Sequence, residues 1–363
     1  MNDYFRRMAL VKTYGSLYFL RDKDYLTGDM GRYVKIGIVR NDKSTDKRIK
    51  EHQTGNPRDI IDVHTIAGVP FVEKLETLVH YRFNEKWITG EWFDLDDKEL
   101  KVVINEAERM KDEQVLFESA ILKSEKLSST ESNGISRAAT AAEEGLRDEY
   151  ITKLKRTKEL EARLALVRAD FCHELGKKYG TIKGVLDMSF TSDSLSFDTS
   201  GFKSAHPSLF DEYSKSESEE KIKESFEIIG EKDAALAKWN KPLDEQKKKI
   251  SKEHFNRKQE NIELTRSKKI ENLHAEHLGF LKELNLLQWD LELIKYQLKA
   301  AVDKDEKIDG VCSWKRTTIL ATSTKFDEDR LKKDHPAIYL AHYAVKTGHH
   351  KIIIHGHRAY KHN

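Results

Sequence analysis

Apolar residues in the first hundred positions recur with two different periods. Leu17-Tyr18-Phe19-Leu20 and Tyr33-Val34-Lys35-Ile36-Gly37-Ile38 are short runs of aromatic and branched residues and predict two strands. The polar, glycine-bearing stretch between them, residues 22–32, predicts a hairpin loop. Residues 60–66 alternate apolar and polar and predict a third strand. Between the second and third strands, Thr45 or Asp46 can cap a helix through Arg48, Ile49 and His52, which Gly55-Asn56-Pro57 ends. Residues 72–83 place Leu75, Leu78 and Val79 on one face of a second helix. Gly90-Glu91-Trp92-Phe93 closes the unit, which reads as a small α/β domain.

Beyond it the period is helical. Residues 98–123 predict a helix, and the Ser-rich string 124–134 reads as a linker. A long charged helix follows over 138–177, then a non-helical stretch to about 230, then a second long helix over 243–302. The latter carries Leu278, Leu281, Leu284, Leu287, Leu291, Ile294 and Leu298, a spacing that buries one face. After each long helix the same ordered string appears. Ile182-Lys183-Gly184-Val185, Phe197-Asp198, Phe202-Lys203, His206-Pro207 and Leu209-Phe210 match Ile308-Asp309-Gly310-Val311, Phe326-Asp327, Leu331-Lys332, His335-Pro336 and Ile338-Tyr339. This predicts a duplicated module of long helix, strand, strand, short helix and strand, with closing strands near 225–229 and 351–355. The expected class is α+β. Its units are 1–97, a helix and linker over 98–135, and two modules over 136–230 and 231–363.

Charge and composition narrow the partners. Charged residues make up 35% of the chain and apolar ones 38%, which suits long solvated helices. The net charge is only +2, so no global field draws the chain to nucleic acid, and DNA must be met by local patches. One such patch follows Arg330, where Lys332, Lys333, Lys346, Lys351, Arg358 and Lys361 join it against a single acid, Asp334. Lys332, Lys333, Lys351 and Arg358 are the candidate phosphate contacts. Two cysteines, Cys172 and Cys312, form no CxxC pair, and no apolar run approaches a membrane span. A reducing cytoplasm is the expected compartment.

The N-terminal unit carries residue types suited to phosphodiester hydrolysis, which needs an activated water, charge neutralisation and a metal or acid at the leaving oxygen. Tyr18 lies mid-strand. Tyr33, Lys35 and Gly37 alternate onto one strand face. Arg48 and His52 are i and i+4 on the first helix, and Glu76 and His80 are i and i+4 on the second. In this order, SLYFL, YVKIGI, RIKEH, EKLETLVHYRF and GEWFDL over residues 14–95 resemble the GIY-YIG nuclease superfamily, in particular its phage-encoded DNA-binding branch. The resemblance implies that Tyr18 helps activate water, that Arg48 stabilises developing charge and that Glu76 binds Mg²⁺ or Mn²⁺. Lys35 stands where the family's second motif has Tyr, with Tyr33 two residues back on the same face. Glu91-Trp92-Phe93 stands where an Asn often closes the site.

Residues 298–355 are similar to the tail that follows the exonuclease core of YqaJ-type viral recombinases, without that core's acidic cluster. The resemblance implies a phage or prophage DNA-processing setting. Seven histidines crowd this end, and His355 and His357 alternate onto one strand face, but the expectation there is a polar surface rather than a metal site. The expected function is therefore a divalent-metal-dependent endonuclease acting on duplex DNA, with the long helices offering a homodimer surface. The alternative is a non-catalytic DNA-binding module or a recombination scaffold that keeps the nuclease fold.

Overall fold

In the computed structural model, which describes residues 13–41, 45–54, 56–175, 179–232 and 262–355, the expected α+β class holds. Strands β1 (Gly15–Lys23) and β2 (Met30–Arg40) form the hairpin. Helix α1 (Thr45–Gln53), strand β3 (Asp59–Val69), helix α2 (Val72–Arg82) and strands β4 (Trp87–Thr89) and β5 (Trp92–Asp94) complete the unit. The sheet is antiparallel, in the order β3-β1-β2-β5-β4. Side chains alternate across a strand, so the two sheet faces differ. Leu17, Phe19, Val34 and Ile36 share a core with Leu75, Leu78 and Val79 of α2. Tyr18, Leu20, Val39 and Ile60 form a smaller cluster with Ile49 of α1 and Trp92.

Helix α3 (Asp97–Ser128) starts in a capping box: the Asp96 carboxylate accepts from the Lys98 and Glu99 amides, and Glu99 reaches back. Its Leu100, Val103, Ala107 and Met110 belong to the same core as the sheet. Of the string 124–134, the first five residues belong to the helix and the rest are non-helical. Helix α3 continues to Ser128, with Leu127 buried in a core and the Ser124 and Ser128 hydroxyls satisfied by carbonyls one turn back. The residues that follow are bound to the far module: the Ser132 amide donates to the Arg316 carbonyl, and the Asn133 amide to that of Lys304. The two-residue strand β6 (Ser136–Arg137) comes next.

Helix α4 (Ala141–Glu174) leads to β7 (Gly180–Ile182), β8 (Leu186–Phe190) and β9 (Ser194–Phe197). Helices α5 (Thr199–Ala205) and α6 (Pro207–Glu212) and strand β10 (Ser214–Ile228) follow. Strand β11 (Ile262–Glu263) precedes helix α7 (Lys268–Val302). The expected helix over 243–302 is thus shorter within the described residues. Ile262 pairs with Gly180, and the Ser267 side chain caps the helix by accepting from the Ile270 amide. Residues 243–261 lie outside the described residues. Then come β12 (Lys307–Ile308), β13 (Cys312–Phe326), α8 (Glu328–Asp334), α9 (Pro336–Ala341), β14 (Tyr343–Lys346) and β15 (His350–Ile354).

Helices α4 and α7 pack antiparallel within the chain, tied by Lys153–Asp290 at 2.5 Å and by the Arg156 fork on Glu283 at 2.6 and 2.8 Å. Helix α7 serves more than one core, and the leucine stripe is only part of it. Leu291, Ile294 and Leu298 pack with Tyr150 and Leu154 of α4, while Trp289 and Leu293 enter the core of the N-terminal sheet.

The matched strings occupy matched local structures. Gly184 and Gly310 turn at φ 75° and 74°, a backbone that favours glycine. Asp198 and Asp327 cap α5 and α8 at φ/ψ of −87°/83° and −91°/82°, and each accepts from the amide three residues on. His206 and His335 sit at −134°/61° and −133°/61°, each followed by a proline opening a short helix. The closing strands are exchanged between the strings. Strand β10 pairs along all fifteen residues with β13, and β14 and β15 return to β9 and β8. The first closing strand is therefore far longer than expected. Its Ser, Glu and Lys alternation over Ser214–Lys221 offers no apolar face, and that part exists through its ladder with β13, while Phe226 and Ile228 near its end pack with Trp314.

Candidate functional site

The site lies on the sheet face that carries Tyr18. In the register of the hairpin Tyr18 stands opposite Gly37 and Leu20 opposite Lys35, so Tyr18, Lys35 and Gly37 share that face. Gly37 is there because the Tyr18 ring lies across it: a Cβ at Gly37 would stand 2.5 Å from Tyr18 Oη. The ring is thereby pinned, and Tyr18 is 1% exposed.

The hydroxyl of Tyr18 lies 3.2 Å from His52 Nε2 on α1. Burial and the nearby Glu91 carboxylate push its pKa up to about 12, so the phenol is neutral near pH 7. His52 is held below its ordinary value by burial and by the charges of Lys35 and Arg48. A neutral imidazole beside a neutral phenol is a donor–acceptor pair in which Tyr18 O–H can donate to His52 Nε2. Arg48 sits one turn before His52, half-exposed, paired with Glu51 at 2.6 Å and close enough to Tyr18 to stabilise its anion.

Lys35 is almost buried, and its Nζ donates to Glu91 Oε2 at 2.7 Å. Glu91 follows Gly90, which has φ 56°, and its carbonyl accepts from the Ile36 amide, so the turn is fixed against β2. Glu91 is the residue that sequence reasoning missed as a participant. Its signal was present in the GEWF string, but as a departure from an expected Asn. Trp92, half-buried beneath this face, has Lys35 Nζ 5.9 Å from its ring centroid, whereas Phe93 is core.

Glu76, 6% exposed on α2, acts electrostatically on Tyr18. The structure therefore brings Tyr18, Lys35, Arg48 and His52 together, with Glu91 added, and ties Glu76 to Tyr18 through its charge. Two candidates stand differently. Tyr33 is 51% exposed and pairs with Asp94 at the far end of β2. His80 is buried, donating through Nε2 to the Ile36 carbonyl at 2.9 Å with its ring 5.0 Å from Phe93, so it braces α2 against the sheet.

Among the described residues, no group of three or more His, Cys, Asp or Glu side chains converges on one point. A Mg²⁺-like ion needs only one or two carboxylates, with water and phosphate oxygens completing its shell. Glu76 offers hard oxygen donors of that kind, whereas Glu91, the carboxylate beside Lys35, is already engaged by that ammonium.

At the other end of the chain, Lys332, Lys333 and Lys351 are exposed, with Lys332 Nζ 5.6 Å from the Tyr339 ring. Arg358 and His357 lie outside the described residues. His355 is buried and bonded through Nε2 to Asp187 at 2.8 Å. Among the described residues no helix is long and apolar enough to cross a membrane.

Residues 15–108 match the family described as the T5orf172 domain. That domain is phage-associated and of the GIY-YIG- and HNH-like nuclease type. The match spans the five-stranded unit and the first third of α3. No curated protein and no solved structure matches the chain.

Proposed function

We propose that the protein is a phage-type endonuclease whose N-terminal unit hydrolyses phosphodiester bonds of duplex DNA with a divalent cation, Mg²⁺ or Mn²⁺. The observation that carries this reading is the Tyr18–His52 pair at 3.2 Å, flanked by the charges of Arg48 and Lys35. In this reading Tyr18 passes its proton to His52 Nε2 and takes one from the attacking water. Arg48 stabilises charge on the phosphoryl oxygens, and Lys35 neutralises a phosphate oxygen after leaving Glu91. Glu76 holds the cation, which when bound polarises the phosphoryl group and the leaving oxygen. The test is nicking of supercoiled plasmid in Mg²⁺ or Mn²⁺, with and without EDTA. Cleavage that EDTA abolishes, and that a folded Glu76→Ala protein loses, is the expected result. Undiminished cutting by that variant would sink the Glu76 assignment.

The second reading is DNA binding without hydrolysis. The Lys35–Glu91 pair favours it, since that pair fills the place of a second tyrosine with a cation that its partner already neutralises. Wild-type protein that shifts duplex DNA in a gel but leaves the plasmid intact in both metals would select it. In both readings the C-terminal half is two copies of one module, and its exposed Lys332, Lys333 and Lys351 meet phosphate.

A further inference from the structure

Helix α7 is the element, among those described, that enters three of the cores. Ile270 lies in the core around β7 and β8, Trp289 and Leu293 in the core of the N-terminal sheet, and Leu298 and Val302 in the core at the base of the β10–β13 ribbon. Where it meets the N-terminal unit it runs antiparallel to α2 and holds that helix at both ends. At the start of α2, the ring of Phe71 lies 6.4 Å from that of Trp289, edge to face, and Lys74 Nζ sits 5.2 Å from the same indole centroid. Just past its end, Lys282 donates to Glu85 at 3.0 Å. Glu76 and His80 lie between these two points. One residue further along at each point, and so on an adjacent face, α7 is tied to α4 through Asp290 and Glu283.

From this we infer that α7 fixes the position of the Glu76-bearing helix, with Trp289 as the positioning residue. The N-terminal site then takes its geometry from the C-terminal half. The inference deepens the nuclease reading and names a control on the same site. Two physical points support it. A helix of eleven residues has little stability of its own and takes its position from what packs on it. Trp289 is 6% exposed, and its indole lies against both the Phe71 ring and the Lys74 side chain. Lys74 reflects that closeness: burial holds its pKa below the ordinary lysine value, with Glu292 of α7 the opposing charge.

The exchanged strands give α7 something to transmit. Its last turn packs with Ile308, Cys312 and Trp314, the roots of the ribbon whose far end carries α5, α6, α8 and α9. A load on the ribbon therefore bears on the same helix that sets α2.

The experiment uses the full chain and three variants: Trp289→Ala, Trp289→Phe and Lys282→Glu. Ile294→Ala serves as a control, since it opens the α4–α7 core without touching α2. Three readouts are taken: amide exchange across α2, Mn²⁺ affinity by calorimetry, and plasmid cleavage. Expected for Trp289→Ala are at least tenfold faster exchange in α2, weaker Mn²⁺ binding and a lower kcat with KM for DNA little changed. Trp289→Phe should restore all three, and Ile294→Ala should leave α2 exchange and Mn²⁺ affinity as in wild type. Should Trp289→Ala fail to fold, Lys282→Glu sets two acids against each other at the exposed end of the clamp and should speed α2 exchange in the same direction. Unchanged α2 exchange in a folded Trp289→Ala protein, or in Lys282→Glu where that protein does not fold, overturns the inference. Amide exchange is read whether or not the protein cuts DNA, so its outcome is separate from that of the nuclease reading.

Discussion

Replacing Gly37 with alanine tests whether the pinned Tyr18 ring is the working part of the site. The added Cβ would lie 2.5 Å from Tyr18 Oη, 2.7 Å from Cζ and 2.9 Å from Cε2. Carbon atoms rest about 3.5–4.0 Å apart, so the ring or the strand must retreat by about 1 Å. Little space receives it, because the ring is enclosed with Leu20, Val39 and Ile60. Overpacking of this kind costs about 1–3 kcal/mol, which should appear as a lower urea midpoint with an unchanged slope. The larger effect should be on cleavage. A displacement of about 1 Å at a reacting group can lower a rate about 100-fold, and here it takes Tyr18 Oη off His52. The double variant Gly37→Ala/Tyr18→Phe lacks the hydroxyl that makes the shortest clash. It should regain part of the stability while staying inactive, a coupling that the double-mutant cycle measures. A Gly37→Ala protein with wild-type midpoint and rate would refute the reasoning.

Individual side chains carry the remaining predictions. Glu91→Gln removes a charge that raises His52. The acid limb of kcat against pH, expected below 6.5 in the wild type because burial, Lys35 and Arg48 hold His52 down, should move further down in the variant; a limb that stays or rises contradicts this. Asp198→Ala and Asp327→Ala each remove one cap, and each should cost about 1 kcal/mol in urea unfolding. Clearly unequal losses would count against the equivalence of the two strings. Charge reversal of Lys332, Lys333 and Lys351 should weaken duplex binding and lower the magnitude of the salt slope by about 0.9 for each phosphate no longer neutralised. Unchanged affinity and slope would remove the tail from the DNA interface.

The N-terminal unit was legible because its signals are local. Alternation in 60–66, the Leu75, Leu78, Val79 face and the glycine-bearing hairpin each specify an element without reference to the rest of the chain. The pairing of Tyr18 with Gly37 follows from the hairpin register, which the loop sets. Glu91 was hidden because nothing local points its carboxylate at Lys35; the β4–β5 turn does that. The long β10 strand was hidden for a related reason. Lys215, Glu217, Glu219 and Lys221 read as solvated loop, and only the partner strand, about a hundred residues away in sequence, makes them a ladder. The matched strings could be seen but not the exchange between them, since sequence spacing is the same whether a closing strand pairs with its own module or the other.

Two buried charges, Lys35 on the Tyr18 face and Glu76 on α2, are costly choices if packing alone is served. Lys35 is 9% exposed and Glu76 6%, and each lies where the sheet or helix pattern would accept an aliphatic side chain. Taking an ion out of water costs several kcal/mol even after relaxation, and pairing it offsets that cost only in part. Lys35→Met/Glu91→Leu replaces the 2.7 Å ion pair with apolar groups of similar size beside Trp92, Leu20 and Val39. Exchanges of this type leave stability unchanged or raise it by about 1–4 kcal/mol, whereas Lys35→Met alone leaves Glu91 partly buried without its cation and should destabilise. The double variant should therefore equal or exceed the wild type in urea midpoint, keep its far-UV spectrum, and lose cleavage. Retained cleavage would show that the pair is a packing feature. A double variant less stable than Lys35→Met alone would show that the pair holds the sheet, and the case for a functional charge at position 35 would fall with it.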